Sequence, residues 1–145
     1  MVMRIDFYHL ITKQPEQVLV NLAERSLPLG KVLMCVSDKE QADYFDKFLW
    51  TFNEQSWFPH AVAGSSDDIL QPFLITTNAL LNSNNASFLF VYGGAHIDID
   101  TLLSDNKFER VLIIFTDNDV VAKDYARTLW MTASESGCER NYWKL

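Results

Sequence analysis

The chain has 145 residues, 48% of them apolar and 13% aromatic, enough for one core of ordinary domain size. It carries 12 Lys and Arg against 19 Asp and Glu, a formal charge of −7, which excludes general attraction to a phosphate backbone and leaves any nucleic-acid role local or indirect. No run reaches the roughly 18 apolar residues of a membrane span, and MVMRIDFYHL lacks the basic-then-apolar pattern of a secretory signal, so a cytoplasmic location is expected.

RIDFYHL (4–10) reads as a strand by its β-branched and aromatic content. Pro15 suits the first turn of a helix. Val18, Leu19, Leu22 and Ala23 give that helix one apolar face, and Gly30 is the expected stop. KVLMCV (31–36) is a continuous apolar run, as in a strand covered on both faces. Ser37 and Glu40 of SDKE form a predicted capping box. The helix it opens runs to about Thr51, with Ala42, Phe45, Leu49 and Phe52 as its stripe.

LLNSNNAS (80–87) is a polar patch too short for a linker. Strands are predicted at PFLIT (72–76), SFLFVYG (87–93) and RVLIIF (110–115), with a short helix around 100–105. Asp117 or Asn118 is the expected cap of a last helix, 119–136, which Gly137 ends. The aromatic tail NYWKL (141–145) is expected to dock as a strand at a sheet edge. There is no internal repeat, so one domain spanning 1–145 is the economical reading. The alternation predicts an α/β fold: a Rossmann-like open, mostly parallel sheet with helices on both faces.

Such a fold invites a nucleotide, but the phosphate cradle is missing. The turns after the first two strands, ITKQP and SDKE, hold no glycine, and neither GxxxxGK[ST] nor GxGxxG occurs. Gly93-Gly94 is a lone pair. No cofactor is expected. His96, Asp98 and Asp100 alternate in GGAHIDID and could ligate a metal, but a polar loop whose aspartate caps the next helix is favoured, with no metal. Cys35 is mid-strand and reads as inert; Cys138 reads as incidental, and both suit a reducing compartment. His9 reads as a core or edge histidine. His60 follows Pro59 with no acid or nucleophile beside it, so no catalytic constellation emerges.

The segment LWTFNEQSWFPH (49–60) concentrates aromatic residues. Trp50 lies about 100° round the helix from Leu49, off the core stripe. Trp57 and Phe58 are adjacent, so in an extended segment they point opposite ways. An exposed tryptophan on a rigid domain suits a protein interface.

The order of these features resembles a known family. FYHL precedes a helix; GKVLMCVSDKEQADYFDKFLWTFNEQSWFPHAVAG follows; NNASFLFVYG precedes FERVLIIF; then come a helix with ARTLW, a glycine, and YWK. The chain resembles the chi subunit of bacterial DNA polymerase III over nearly its whole length, most specifically in FLWTF…SWFPHAVAG. The resemblance implies a Rossmann-like sheet without a nucleotide site and an accessory, non-catalytic role in the clamp-loader assembly. It implies two partners: the psi subunit or an equivalent clamp-loader protein, and the acidic, phenylalanine-ending tail of single-stranded DNA-binding protein. DNA is then met only indirectly.

Carried over by position, the psi-facing surface falls on Trp50, Phe52, Trp57, Phe58 and Pro59, and the tail-binding surface on Lys123, Arg127 and Trp130. The last three stand at i, i+4 and i+7, so they share a helix face. The family's basic residues after that aromatic are replaced by Met131 and by 132–135, with no base until Arg140. A less positive groove is therefore expected, weakened on the order of 1–2 kcal/mol. Two rivals remain: an adaptor that binds a DNA-repair helicase through the same aromatic surface, and a small metal-dependent α/β enzyme using His96, Asp98 and Asp100.

Overall fold

The computed structural model describes residues 3–52, 59–105 and 108–145. Seven strands form one sheet: β1 (Arg4–Leu10), β2 (Val32–Cys35), β3 (Ala61–Val62), β4 (Phe73–Thr76), β5 (Phe88–Tyr92), β6 (Arg110–Thr116) and β7 (Glu139–Lys144). Their order is β3-β4-β2-β5-β6-β1-β7, and every pairing is parallel. Four helices cover it: α1 (Pro15–Ser26), α2 (Lys39–Thr51), α3 (Ile99–Asp105) and α4 (Val120–Glu135). This is the Rossmann-like α/β arrangement that the alternating pattern predicts.

Strand alternation explains the continuous apolar runs. Met34, Ile75, Phe90 and Ile114 face α1 and α2, where Val18, Leu22, Phe45 and Leu49 close the core. Leu33, Leu74, Leu89, Val91 and Ile113 face the other way, against Leu102 of α3 and Ala122, Ala126 and Leu129 of α4. The alanines of α4 let that helix lie close to the sheet.

The helix ends differ in detail from the sequence expectation. The capping box is displaced by one residue: Asp38, not Ser37, caps α2 by accepting from the Gln41 N–H at 2.8 Å. The Gln41 side chain reaches back to the Ser37 N–H and hydroxyl. Asp119, not Asp117 or Asn118, caps α4 through the Ala122 N–H. Asp117 is engaged elsewhere, by His9 and Lys123. Helix α1 ends at Ser26, before Gly30. Gly137 does follow α4, with φ at +75°. Phe52 is only half-buried, stacked on Phe48 just past the end of α2, because the buried stripe stops at Leu49.

The polar patch after β4 is a built loop. Asn84 is fully buried and its amide donates to the carbonyls of Val32 and Gln71 at 3.0 and 3.1 Å. The Gly93-Gly94 pair is likewise structural. Both residues have positive φ, and a Cβ on Gly94 would press on the Ala122 backbone at 3.3 Å. The turn closes β5 against the start of α4.

The tail extends β1. Six residues of β7 pair with β1 in register, Phe7 opposite Tyr142 and Tyr8 opposite Trp143. A buried carboxylate ties the three strands at this edge. Asp6 is 0% exposed and accepts from Arg4 on its own strand, Arg110 of β6 and Asn141 of β7.

Candidate functional site

Three regions hold the residues that the sequence singles out. The first lies between α4 and the β1–β7 edge. Trp130 meets Phe7 of β1 edge-on at 5.2 Å and Tyr142 of β7 at 6.4 Å. A recess of about 520 Å³ opens beside it, lined by Phe7, Phe115, Ala126, Arg127, Met131 and Tyr142 along with Trp130 itself. Its walls are almost wholly apolar. Arg127 stands at the rim, its side chain 70% exposed, with Asp124 alongside at 3.5 Å.

Arg140 changes the electrostatics of this recess. It is ten residues beyond Trp130 in sequence, but β7 folds it back. Its guanidinium lies 4.1 Å over the Trp130 ring, and Nη1 donates to the Trp130 carbonyl at 3.0 Å. A cation over an indole is favourable in itself. Arg140 thus adds a positive charge against Trp130, although it is not among the residues that line the recess.

Lys123 stands apart from the recess lining. Its Nζ donates to Asp117 at 3.0 Å. Asp117 also meets His9 Nε2 at 2.7 Å, and His9 Nδ1 meets the Tyr142 hydroxyl. The Lys123 and His9 hydrogen bonds hold the Asp117 carboxyl below its ordinary value. His9 also stacks on Phe115 at 4.8 Å. The chain Tyr142–His9–Asp117–Lys123 thus fixes one wall of the recess by hydrogen bonds.

The second region is the end of α2. Trp50 is 55% exposed, and its indole lies 4.2 Å from the His60 ring. His60 is buried, with Nε2 at 2.9 Å from the Asp46 carbonyl and 3.3 Å from its carboxylate. His60 therefore props Trp50 outward. Pro59 is half-buried beside it. Trp57 and Phe58 lie outside the described residues.

The third region is residues 93–100. His96 rests against Tyr125 with the rings 4.6 Å apart. Asp98 accepts from the Thr101 hydroxyl at 2.9 Å and the Thr101 N–H at 3.2 Å, opening α3; these bonds hold its carboxyl below the ordinary value. Asp100 meets the Ser136 hydroxyl at 3.4 Å. Among the described residues no three His, Cys, Asp or Glu side chains converge as a metal site would require. Cys35 is buried, its thiol pushed up to about 11 by that burial, which keeps it protonated and unreactive. Cys35 and Cys138 are not bonded to each other.

Sequence reasoning reached Arg127 and Trp130 but missed Phe7, Phe115, Arg140 and Tyr142. Phe7 and Phe115 read as core. Arg140 and Tyr142 share a face only once the tail is a strand. Their alternation was the available signal, but the register against β1 was not.

The chain is thus a Rossmann-like α/β protein that presents an apolar recess beside Trp130 and an exposed Trp50 among the described residues. The family model for the DNA polymerase III chi subunit, HolC, matches residues 2–141, and the chain belongs to that family. It is also 31% identical over 90 residues to a protein of Rickettsia prowazekii (strain Madrid E) named as a probable DNA polymerase III subunit chi. That match covers 60% of this chain and 53% of the relative, so the chain spans about half the length of the curated relative it matches. No helix among the described residues is long and apolar enough to cross a membrane.

Proposed function

We propose that the chain is a non-catalytic accessory subunit of DNA polymerase III that tethers the clamp loader to single-stranded DNA-binding protein. The tail of the latter, acidic and ending in phenylalanine, enters the α4–β7 recess. Its terminal ring lies on Phe7, Phe115 and Trp130. Its terminal carboxylate meets Arg127, whose planar fork suits a bidentate pair. The acidic residues before it run past Arg140. Lys123 contributes through its ion pair with Asp117 rather than by direct contact.

The observation that carries this reading is the recess itself: an apolar hollow sized for aromatic side chains with a guanidinium at its rim and another over its tryptophan. Burying a phenylalanine ring is worth about 1.5–3 kcal/mol. The exposed Arg127 pair adds about 0.2–1 kcal/mol. Those magnitudes suit a weak, releasable tether.

The second partner, psi or an equivalent clamp-loader protein, docks on the face of Trp50, Phe52 and Pro59 together with Trp57 and Phe58. Trp50 supports this because its indole is held out by a buried ring rather than folded into the core. The test is a titration of a labelled peptide ending Asp-Ile-Pro-Phe into wild type and into Arg127→Ala. Micromolar binding that weakens by up to about fivefold in the variant supports the tail site. No binding at about 1 mM peptide in low salt contradicts it.

A further inference from the structure

A second hollow flanks β7 on the opposite face of the sheet. Its volume is about 320 Å³, and its lining includes Tyr8 of β1, Val18, Leu22 and Arg25 of α1, Lys13, and Trp143 of β7. Alternation along β7 sends Tyr142 toward α4 and Trp143 toward α1. Val18 and Leu22 stand one turn apart and give the hollow an apolar floor. Gln17, Asn21 and Arg25 are spaced at i, i+4 and i+8, so they form its polar wall. Trp143 is 48% exposed above that floor.

The charges around this hollow are unusual for a chain of net charge −7. Among the described residues neither Lys13 nor Arg25 has an ion-pair partner. Arg4 and Arg110, which act electrostatically on Tyr8, outnumber the single Asp6 they pair with. The nearby acids are turned elsewhere or exposed. Glu16 accepts from the Tyr44 hydroxyl at 2.7 Å, Glu24 is exposed next to Arg25, and Glu139 lies beside Arg4. The Tyr8 hydroxyl is part of a half-buried side chain and has no hydrogen-bond partner among the described residues.

We propose that this α1–β7 hollow is a second peptide site, which takes an acidic segment carrying one apolar or aromatic side chain. The side chain lies on Val18 and Leu22 under the Trp143 indole. The carboxylates meet Arg25 and Lys13, and the Tyr8 hydroxyl donates to one of them. A peptide fits better than a nucleic-acid strand. The hollow has room for one or two side chains, and one indole is not a row of stacking rings. The site does not depend on the α4–β7 recess, because it lies on the other face and shares no lining residue with it.

The test uses the ¹⁵N-labelled full chain, with the Trp143 indole N–H identified by its loss in Trp143→Phe. The peptide Asp-Asp-Asp-Ile-Pro-Phe is titrated into Arg127→Glu, which weakens the other recess, and into Arg25→Glu. Dispersed amide spectra confirm that both variants are folded. The expected result is a saturable Trp143 shift that survives Arg127→Glu and weakens about tenfold in Arg25→Glu. A Trp143 signal unmoved at about 1 mM peptide overturns the proposal, as does a shift that disappears with Arg127→Glu. So does a tighter response to an oligothymidylate than to the peptide. If Trp143 responds while the Trp130 indole stays silent in wild type, the tail site on α4 fails and this one stands.

Discussion

The α4–β7 recess and the Trp50 surface are both aromatic, yet they are built in opposite ways. Trp130 is half-buried, braced by Phe7, Tyr142 and Arg140, and it walls a hollow. Trp50 stands out from the end of α2 against the buried ring of His60. A hollow receives one side chain and selects it by size and charge. A raised indole selects nothing alone and must be received by a partner's own pocket. The difference separates a hollow that can take in a side chain from a raised indole that a partner would have to take in.

Removing the brace should break the comparison most severely. Asp6→Ala leaves Arg4, Arg110 and Asn141 without their shared acceptor and loosens β7 from β1. We expect a loss of about 3 kcal/mol in urea unfolding, near the lower end for a broken buried pair. Tail-peptide binding should fall with it, while partner capture through Trp50 is retained in the folded fraction. Next, Trp130→Ala removes a half-buried ring from between Phe7 and Arg140 and should cost about 2–3 kcal/mol of stability. Trp50→Ala, at an exposed site, should cost under about 1 kcal/mol. Equal costs at the two tryptophans would dissolve the distinction between recess and anchor.

A pH series sharpens the same point. Burial alone pushes the Asp6 carboxyl up, but hydrogen bonds from Arg4, Asn141 and Arg110 outweigh it and hold the carboxyl below its ordinary value. A depressed native pKa contributes stability above the unfolded value, about 3.9, and that stability is lost as pH falls through the native one. The urea midpoint of wild type should therefore drop below about pH 4, and Asp6→Asn should flatten that drop. An unchanged slope in the variant would show that Asp6 does not hold the edge. The smallest effect belongs to Arg140→Ala. It should weaken the tail peptide about fivefold, by roughly the 1 kcal/mol of a half-buried cation over an indole, with little change in stability.

Much of this was legible in the sequence, for physical reasons. Apolar runs such as KVLMCV announce strands covered on both faces, and the amphipathic spacing of α1 and α2 announces their buried sides. Trp50 was readable as off-stripe from helical geometry alone. The caps fall a residue or two later than the sequence predicts because Ser37, Asp38, Asp117 and Asp119 are all competent caps, and tertiary partners decide among them. His9 and Lys123 claim Asp117, so Asp119 is left to cap. The recess was half legible. Arg127 and Trp130 follow from spacing on one helix, whereas Phe7, Phe115, Arg140 and Tyr142 converge only through the β6-β1-β7 order. No local pattern encodes the neighbour of a strand.

The central claim is that the chain holds two partners at once, on separate surfaces. The direct measurement immobilises the acidic, phenylalanine-ending tail peptide, flows the chain over it, and then flows the psi-containing clamp loader. The account predicts loader capture only when the chain is present. Arg127→Ala should lower capture of both chain and loader. Trp50→Ala should keep the chain on the peptide and lose the loader. Undiminished loader capture by Trp50→Ala, or release of the peptide when the loader binds, would contradict it.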